Sequence, residues 1–254
     1  MGELDGKVAI ITGAGRLRGI GRAAAVSLAR LGADVVVTGT GRDPSSFPDD
    51  EKAINWKDVE SVAEQVRAEG RRALTLTVDV TSREDVQSMI DRTVEEFGRI
   101  DILINNAAFA RGVDRVPILE LDEDVFQKVM DIKVTGTFLC TKAAISHMIK
   151  QGEGGKIVNI SSTAGKRGSA NTLAYNGANF AIVGMTQSMA QELGPYNINV
   201  NAVCPGAVDT HRMDVLGRGE VWDNMAGRTP IRRNGTDDEV GDFCAYLCLS
   251  LIHI

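Results

Sequence analysis

The feature that most narrows the possible folds is an alternation. Short apolar runs at residues 8–12, 34–38, 72–78, 102–105, 156–161 and 199–203 are separated by longer segments with apolar residues at helical spacing, at 19–31, 56–69, 83–97, 122–149, 173–193 and 237–249. Continuous apolar runs suit strands buried on both faces, and a helix between successive strands supplies the crossover that parallel pairing needs. No repeat or linker interrupts the series. At 254 residues and 43% apolar content the chain can bury a full core and still form one domain. The expectation is a single α/β domain over 1–254, a doubly wound parallel sheet flanked by helices.

Charge and punctuation exclude several functions. The formal net charge is −6, so no basic field favours nucleic acid or an anionic membrane surface. No apolar run approaches the ~18 residues of a membrane span, and the opening MGELDGKVAIITGAG has no basic region before its apolar stretch. A cytoplasmic location is expected. Cys140, Cys204, Cys244 and Cys248 do not combine with His147, His211 or His253 at metal-ligand spacing, so reduced core cysteines and no metal are expected. Residues 39–55, with GRDPSSFPDD, read as a surface excursion. Residues 209–233 carry Met213, Trp222 and Met225 and follow the sixth strand. Ligands bind at the carboxyl ends of such sheets, which makes this segment a candidate substrate lid.

Directly after the first strand stands TGAGRLRGIG, with Gly13, Gly15, Gly19, Ile20 and Gly21 leading into a helix. Glycines let backbone approach a pyrophosphate, and the helix N-terminus adds free amides and partial positive charge. The segment resembles the TGxxxGxG motif of the short-chain dehydrogenase/reductase family, with five residues instead of three between Gly13 and Gly19. The likeness continues in order along nearly the whole chain. Asp79 and Val80 in VDVT match the family's adenine contact, Asn105, Asn106, Ala107 and Ala108 match its NNAG, and Pro205, Gly206, Val208 and Thr210 match the segment that holds the nicotinamide carboxamide.

The resemblance implies hydride transfer between a nicotinamide cofactor and a carbonyl or secondary alcohol. Its serine and tyrosine correspond to Ser162 and Tyr175, thirteen residues apart. Relatives that use NAD place an acid at the end of the second strand to accept from the ribose 2′-hydroxyl. Here that position is about Gly39, while Arg16, Arg18 and Arg42 are near enough in the pattern to pair with a 2′-phosphate. NADP is therefore expected over NAD.

Two departures from the pattern are paired. The family keeps a lysine four residues after its tyrosine, where this chain has Asn179, and an asparagine in the preceding helix, where this chain has Lys133. Lys133 shares a helical stripe with Phe126, Val129, Thr137 and Cys140, so it is expected to point inward. A free phenol, with pKa ~10, is about 0.1% ionised at pH 7, and a nearby ammonium shifts such a group by roughly 1–3 units. Two readings follow: a working enzyme whose lysine has changed helices, or an impaired NADP-binding protein acting as a sensor or interaction partner.

The resemblance also implies a homodimer or homotetramer. Phe109, Arg111, Thr163, Arg167, Leu173, His211 and Trp222 fall on segments that face the family's substrate pocket, but they do not name a substrate. Set against the family's pattern, roughly twenty positions, including a last strand, are expected to be missing where the sequence reads SLIHI.

Overall fold

In the computed structural model, which describes residues 2–249, six strands form one sheet. They are β1 (Val8–Ile11), β2 (Asp34–Gly39), β3 (Ala73–Thr77), β4 (Ile102–Asn105), β5 (Gly155–Ile160) and β6 (Ile198–Val203), ordered β3-β2-β1-β4-β5-β6 with every pairing parallel. The order reverses between β1 and β4, and a crevice opens at the carboxyl ends of strands at such a switch point.

Alternate strand residues feed two cores. Ala9, Ile11, Val35, Val37, Ile102 and Ile104 pack under α1 (Ile20–Arg30), α3 (Val59–Ala68) and α9 (Asp237–Tyr246). Val8, Ile10, Val36, Leu103 and Ile157 face α4 (Arg83–Phe97), α6 (Gly136–Gln151) and the end of α7 (Leu173–Leu193). Period-two burial into opposite layers is why these short runs hold a fixed register.

Caps fix where the helices start. Ser82 accepts from the Asp85 amide at the head of α4, and Thr236 and Glu239 form a reciprocal capping box on α9. The head of α1 differs: Gly19 offers no side-chain cap, which leaves its first amides directed into the crevice.

Two sequence expectations change in detail. The single helical pattern at 122–149 is two helices, α5 (Glu123–Met130) and α6, joined by a π turn at Asp131–Thr135. The extra residue in that turn alters the direction of the side chains it carries, and such turns are frequent at functional sites. Residues 39–55 do not form a simple surface excursion. They include α2 (Asp49–Ala53), and Phe47, Glu51 and the adjoining Trp56 are buried as the segment folds back onto the glycine loop.

The segment 209–233 is tied at both ends, because β7 (Val208–Asp209) pairs with β8 (Gly235–Thr236) around a 3-10 turn at His211–Leu216 and α8 (Glu220–Gly227). Among the described residues no helix is long and apolar enough to cross a membrane. The tail at 250–254, on which the expectation of a missing strand rests, lies outside the described residues.

Candidate active site

The carboxyl ends of β1, β4, β5 and β6 open onto a cleft of about 450 Å³, a volume suited to a small ligand. Its floor is two locked turns. Thr12 Oγ1 accepts from the amides of Asn106 at 3.0 Å and Ala107 at 3.1 Å, and Asn106 Nδ2 donates to the carbonyls of Thr12 and Gly13. At Gly13 φ is +66°, and a Cβ there would lie 2.9 Å from Ala107 Cα, so backbone conformation and space both demand glycine. A Cβ on Gly21 would lie 2.8 Å from Ala14 Cα. This cradle, with the uncapped head of α1, fits a pyrophosphate.

Gly13, Arg16, Arg18, Gly19, Ile20, Gly21, Asn106, Pro205, Gly206, Val208 and Thr210 all border the cleft. Gly15, Arg42, Asp79, Val80 and Ala107 do not border it. Gly15 is roofed by the folded-back segment: its carbonyl accepts from Trp56 Nε1 at 2.7 Å and from Arg42 Nη2 at 3.1 Å. Asp79 Oδ1 accepts from the amide and hydroxyl of Thr81, and Val80 packs on Gly136.

The arginines expected at a 2′-phosphate are engaged by carboxylates. Arg42 pairs with Glu51 and Asp58, each at 2.9 Å, while Arg18 pairs with Asp50 at 2.8 Å, Asp209 at 3.1 Å and Asp214. Arg16 lies 3.8 Å from Glu51. Burial, then repulsion from Arg42, holds the Arg16 guanidinium below its usual range.

The residues expected to do chemistry converge on the same cleft. Ser162 follows β5 and is buried, its Oγ accepting from the Ala164 amide at 3.1 Å. Tyr175 sits in the first turn of α7 and Asn179 one turn on, and both border the cleft. Asn179 Nδ2 donates to the Tyr175 carbonyl at 2.8 Å, while its buried Oδ1 has no hydrogen-bond partner. Lys133 enters from the π turn, is only 6% exposed and lines the cleft with Ser162 and Tyr175. Burial, then the nearby Arg212, pushes its amine down to about 7.

Of the other residues expected near the pocket, Phe109, Arg111 and His211 border the cleft, whereas Thr163, Arg167, Leu173 and Trp222 do not. Asp114, Arg115 and Arg212 also border it and were not anticipated. Asp114 and Arg115 lie on an irregular turn and Arg212 on the short 3-10 turn, neither long enough for periodicity to tell which way a side chain faces. The Arg115 guanidinium lies 3.7 Å from the centroid of the Tyr175 ring, and that of Arg212 5.2 Å from it.

Comparison with known proteins agrees with this geometry. The family model described as enoyl-(acyl carrier protein) reductase matches residues 13–253. The short-chain dehydrogenase/reductase astE of Aspergillus oryzae is 39% identical over 250 residues, covering 96% of this chain and 88% of that protein. The 2-dehydro-3-deoxy-D-gluconate 5-dehydrogenase of Escherichia coli is 37% identical over 89% of this chain and 83% of its own. Among solved structures, carveol dehydrogenase from Mycobacterium avium in complex with NAD superposes with a TM-score of 0.86 at 30% identity, covering 99% of this chain and 94% of that one. With its sheet order, glycine cradle and serine–tyrosine pair, the chain belongs to the short-chain dehydrogenase/reductase family of oxidoreductases.

Proposed function

We propose that the protein catalyses reversible hydride transfer between a nicotinamide dinucleotide and a secondary alcohol or its ketone. The observation that carries this reading is the convergence of Ser162, Tyr175 and a buried lysine on the cleft that contains the glycine cradle. The bound dinucleotide would lie on Gly13, Gly19 and the head of α1, with Pro205 to Thr210 at its nicotinamide end, and it supplies or accepts the hydride. The Tyr175 hydroxyl gives its proton to the substrate oxygen during reduction and takes it back during oxidation. The Ser162 hydroxyl donates to the same oxygen as charge develops on it. Lys133 lines the same cleft and takes the part of the family's absent lysine; its amine, pushed down to about 7, is an ammonium on the acid side of neutrality and can exchange a proton near pH 7.

The assay is absorbance at 340 nm with NAD(H) and NADP(H) across a panel of secondary alcohols and ketones; reduction or oxidation of at least one member is expected. The impaired-protein reading has one observation in its favour, the Asn179 amide bonded to its own helix. Tight nucleotide binding with no turnover of any member would establish it instead.

The nucleotide itself is where the folded-back segment matters. The expectation of NADP assumed that no acid stands at the end of β2. Asp58, at the head of α3 just beyond that segment, brings one. Its Oδ2 lies 3.4 Å from where a Cβ of Gly39 would be, and its Oδ1 occupies the space of a Cβ on Gly15. Oδ1 pairs with Arg42, whereas the buried Oδ2 has no hydrogen-bond partner. Asp58 also holds φ at +52°, a conformation that costs a non-glycine residue energy and recurs at functional sites. We read Asp58 as the acceptor for the adenosine ribose, and NAD as the nucleotide in preference to NADP. A 2′-phosphate would find Arg42 already paired with Glu51 and Asp58.

NADH should bind at least tenfold more tightly than NADPH, about 1.4 kcal/mol, and Asp58→Asn should erase most of that difference. Fluorescence titration measures both, and tighter binding of NADPH to the unmodified protein would return the assignment to NADP. Phe138 on α6 and Phe180 on α7 are exposed, which supports assembly of copies through these helices. The closed ladder of β7 and β8 supports a lid role for 209–233, whose first part borders the cleft.

A further inference from the structure

The substrate end of the cleft has an imbalance of charge that hydride transfer to a neutral alcohol does not require. Arg111, Arg115 and Arg212 border it beside Tyr175. Among the described residues one carboxylate pairs with any of them: Asp114, fully buried, lies 3.2 Å from Arg115 and is held by the Gly112 amide. Arg212 Nη1 donates to the Phe109 carbonyl, and Arg111 Nη1 lies 3.9 Å from Met213 Sδ. Neither contact offsets charge. Guanidinium groups stay protonated in proteins, so three positive charges face one negative charge, with Lys133 close to Arg212. The chain as a whole has a net charge of −6, so the excess is local to this wall.

The mutual cost is visible at Arg111 and Arg212. Burial, then Arg115, lowers Arg111. Burial lowers Arg212 as well; the Tyr175 phenol opposes that effect and Arg115 adds to it. Packing like charges against one phenol ring is unfavourable unless an anion shares the site. The acids at the other end of the cleft do not serve, since Asp214 is committed to Arg18, Arg218 and His211.

From this juxtaposition we infer that the substrate is a hydroxy acid or oxo acid, with its carboxylate held by Arg212, Arg115 and Arg111 while its hydroxyl or carbonyl carbon faces Tyr175 and Ser162. A planar carboxylate matches the fork of a guanidinium and can accept two parallel hydrogen bonds from it. The glycine cradle has its own donors, the uncapped amides at the head of α1, so the pyrophosphate does not need this cluster.

The inference rests on the hydride-transfer reading, and its test separates the two. Two measurements are made: reduction of 4-oxopentanoate and of its methyl ester by the protein with saturating NADH, and calorimetric titration of the NAD-saturated protein with pentanoate, which has no ketone to reduce. The acid is expected to exceed the ester at least tenfold in kcat/KM, and pentanoate is expected to bind. Arg212→Met, and separately Arg115→Met, should raise the KM for the acid at least tenfold, bring the acid-to-ester ratio close to one and weaken pentanoate binding in proportion.

Pentanoate binding that depends on Arg212, without turnover of either ketone, would uphold the anion site and count against hydride transfer. Equal turnover of acid and ester, or a ratio that both variants preserve, would overturn the anion site and leave hydride transfer standing. So would an Arg212→Met protein that loses affinity for NAD but not for pentanoate, because the cluster would then serve the dinucleotide's phosphates.

Discussion

Tyr175→Phe is expected to lower kcat by about 10²–10⁴-fold, the usual worth of a positioned general acid or base, while NADH affinity stays within about threefold. The substitution removes only the hydroxyl. The ring stays in the first turn of α7 and keeps the stacking of Arg115 at 3.7 Å and Arg212 at 5.2 Å, so the site retains its shape. Rapid-quench or steady-state turnover with the best substrate of the panel, set against nucleotide titration, gives both numbers. A protein that only binds dinucleotide would lose neither. Retention of more than a tenth of the turnover would remove Tyr175 from the chemistry. Ser162→Ala is a less clean companion, because Ser162 Oγ also accepts from the Ala164 amide and the variant loses that local cap along with the substrate contact.

Much of this site could be read from the sequence because it is built on periodic elements. Apolar runs of strand length placed β1, β4, β5 and β6, and the cleft opens at their carboxyl ends. Gly13 and Gly21 follow from the strand-to-helix context, where packing leaves no room for a side chain, while Asn106 comes from the family resemblance and is held by its hydrogen bonds to Thr12 and Gly13. Lys133 is buried, as are its stripe neighbours Val129, Thr137 and Cys140, although the π turn at Asp131–Thr135 interrupts the helical period on which that direction is read.

What could not be read lies in segments held by ion pairs between distant residues. The sequence shows Arg42 near an acid-free strand end, but whether that arginine is free depends on Glu51 and Asp58 folding back across it. Proline and serine at 44–48 suggested a solvated loop. Their surface character is real, yet Phe47, Glu51 and Trp56 anchor the same segment. Arg115 and Arg212 were missed for a related reason: their cation–ring contacts join Tyr175 in α7 to an irregular turn and to the 3-10 turn at His211–Leu216, each more than thirty positions away.

The exchange of lysine and asparagine leads to the most discriminating set of variants. If Lys133 supplies the charge that once stood at position 179, Lys133→Met should cost ten- to a thousandfold in kcat/KM, the range that a single opposite charge confers on a neighbouring ionisation. Lys133→Asn combined with Asn179→Lys should recover most of that loss. Asn179→Lys alone places a second ammonium in the cleft and should impair turnover, a non-additive pattern characteristic of coupled neighbours.

Stability supplies a second readout that turnover cannot mimic. Burial and Arg212 bring the Lys133 amine from an ordinary 10.5 down to about 7, so between those values the unfolded chain binds a proton that the folded chain does not. Stability of the nucleotide-free protein should therefore rise with pH from about 7 to about 10, while below pH 7 the folded state bears the full penalty of a buried charge, on the order of 3–5 kcal/mol. Lys133→Met removes that ammonium. Urea unfolding at pH 6, 8 and 9.5 should show the variant more stable than the original at pH 6 and without the rise.

A lysine that is only a packing residue would produce the same stability result with kcat unchanged, whereas a lysine at work in the site gains stability on replacement and loses catalysis, the trade expected where function maintains an unfavourable charge. Unchanged kcat/KM in Lys133→Met, or a double exchange no more active than Lys133→Asn alone, would show that the lysine's task did not move with it.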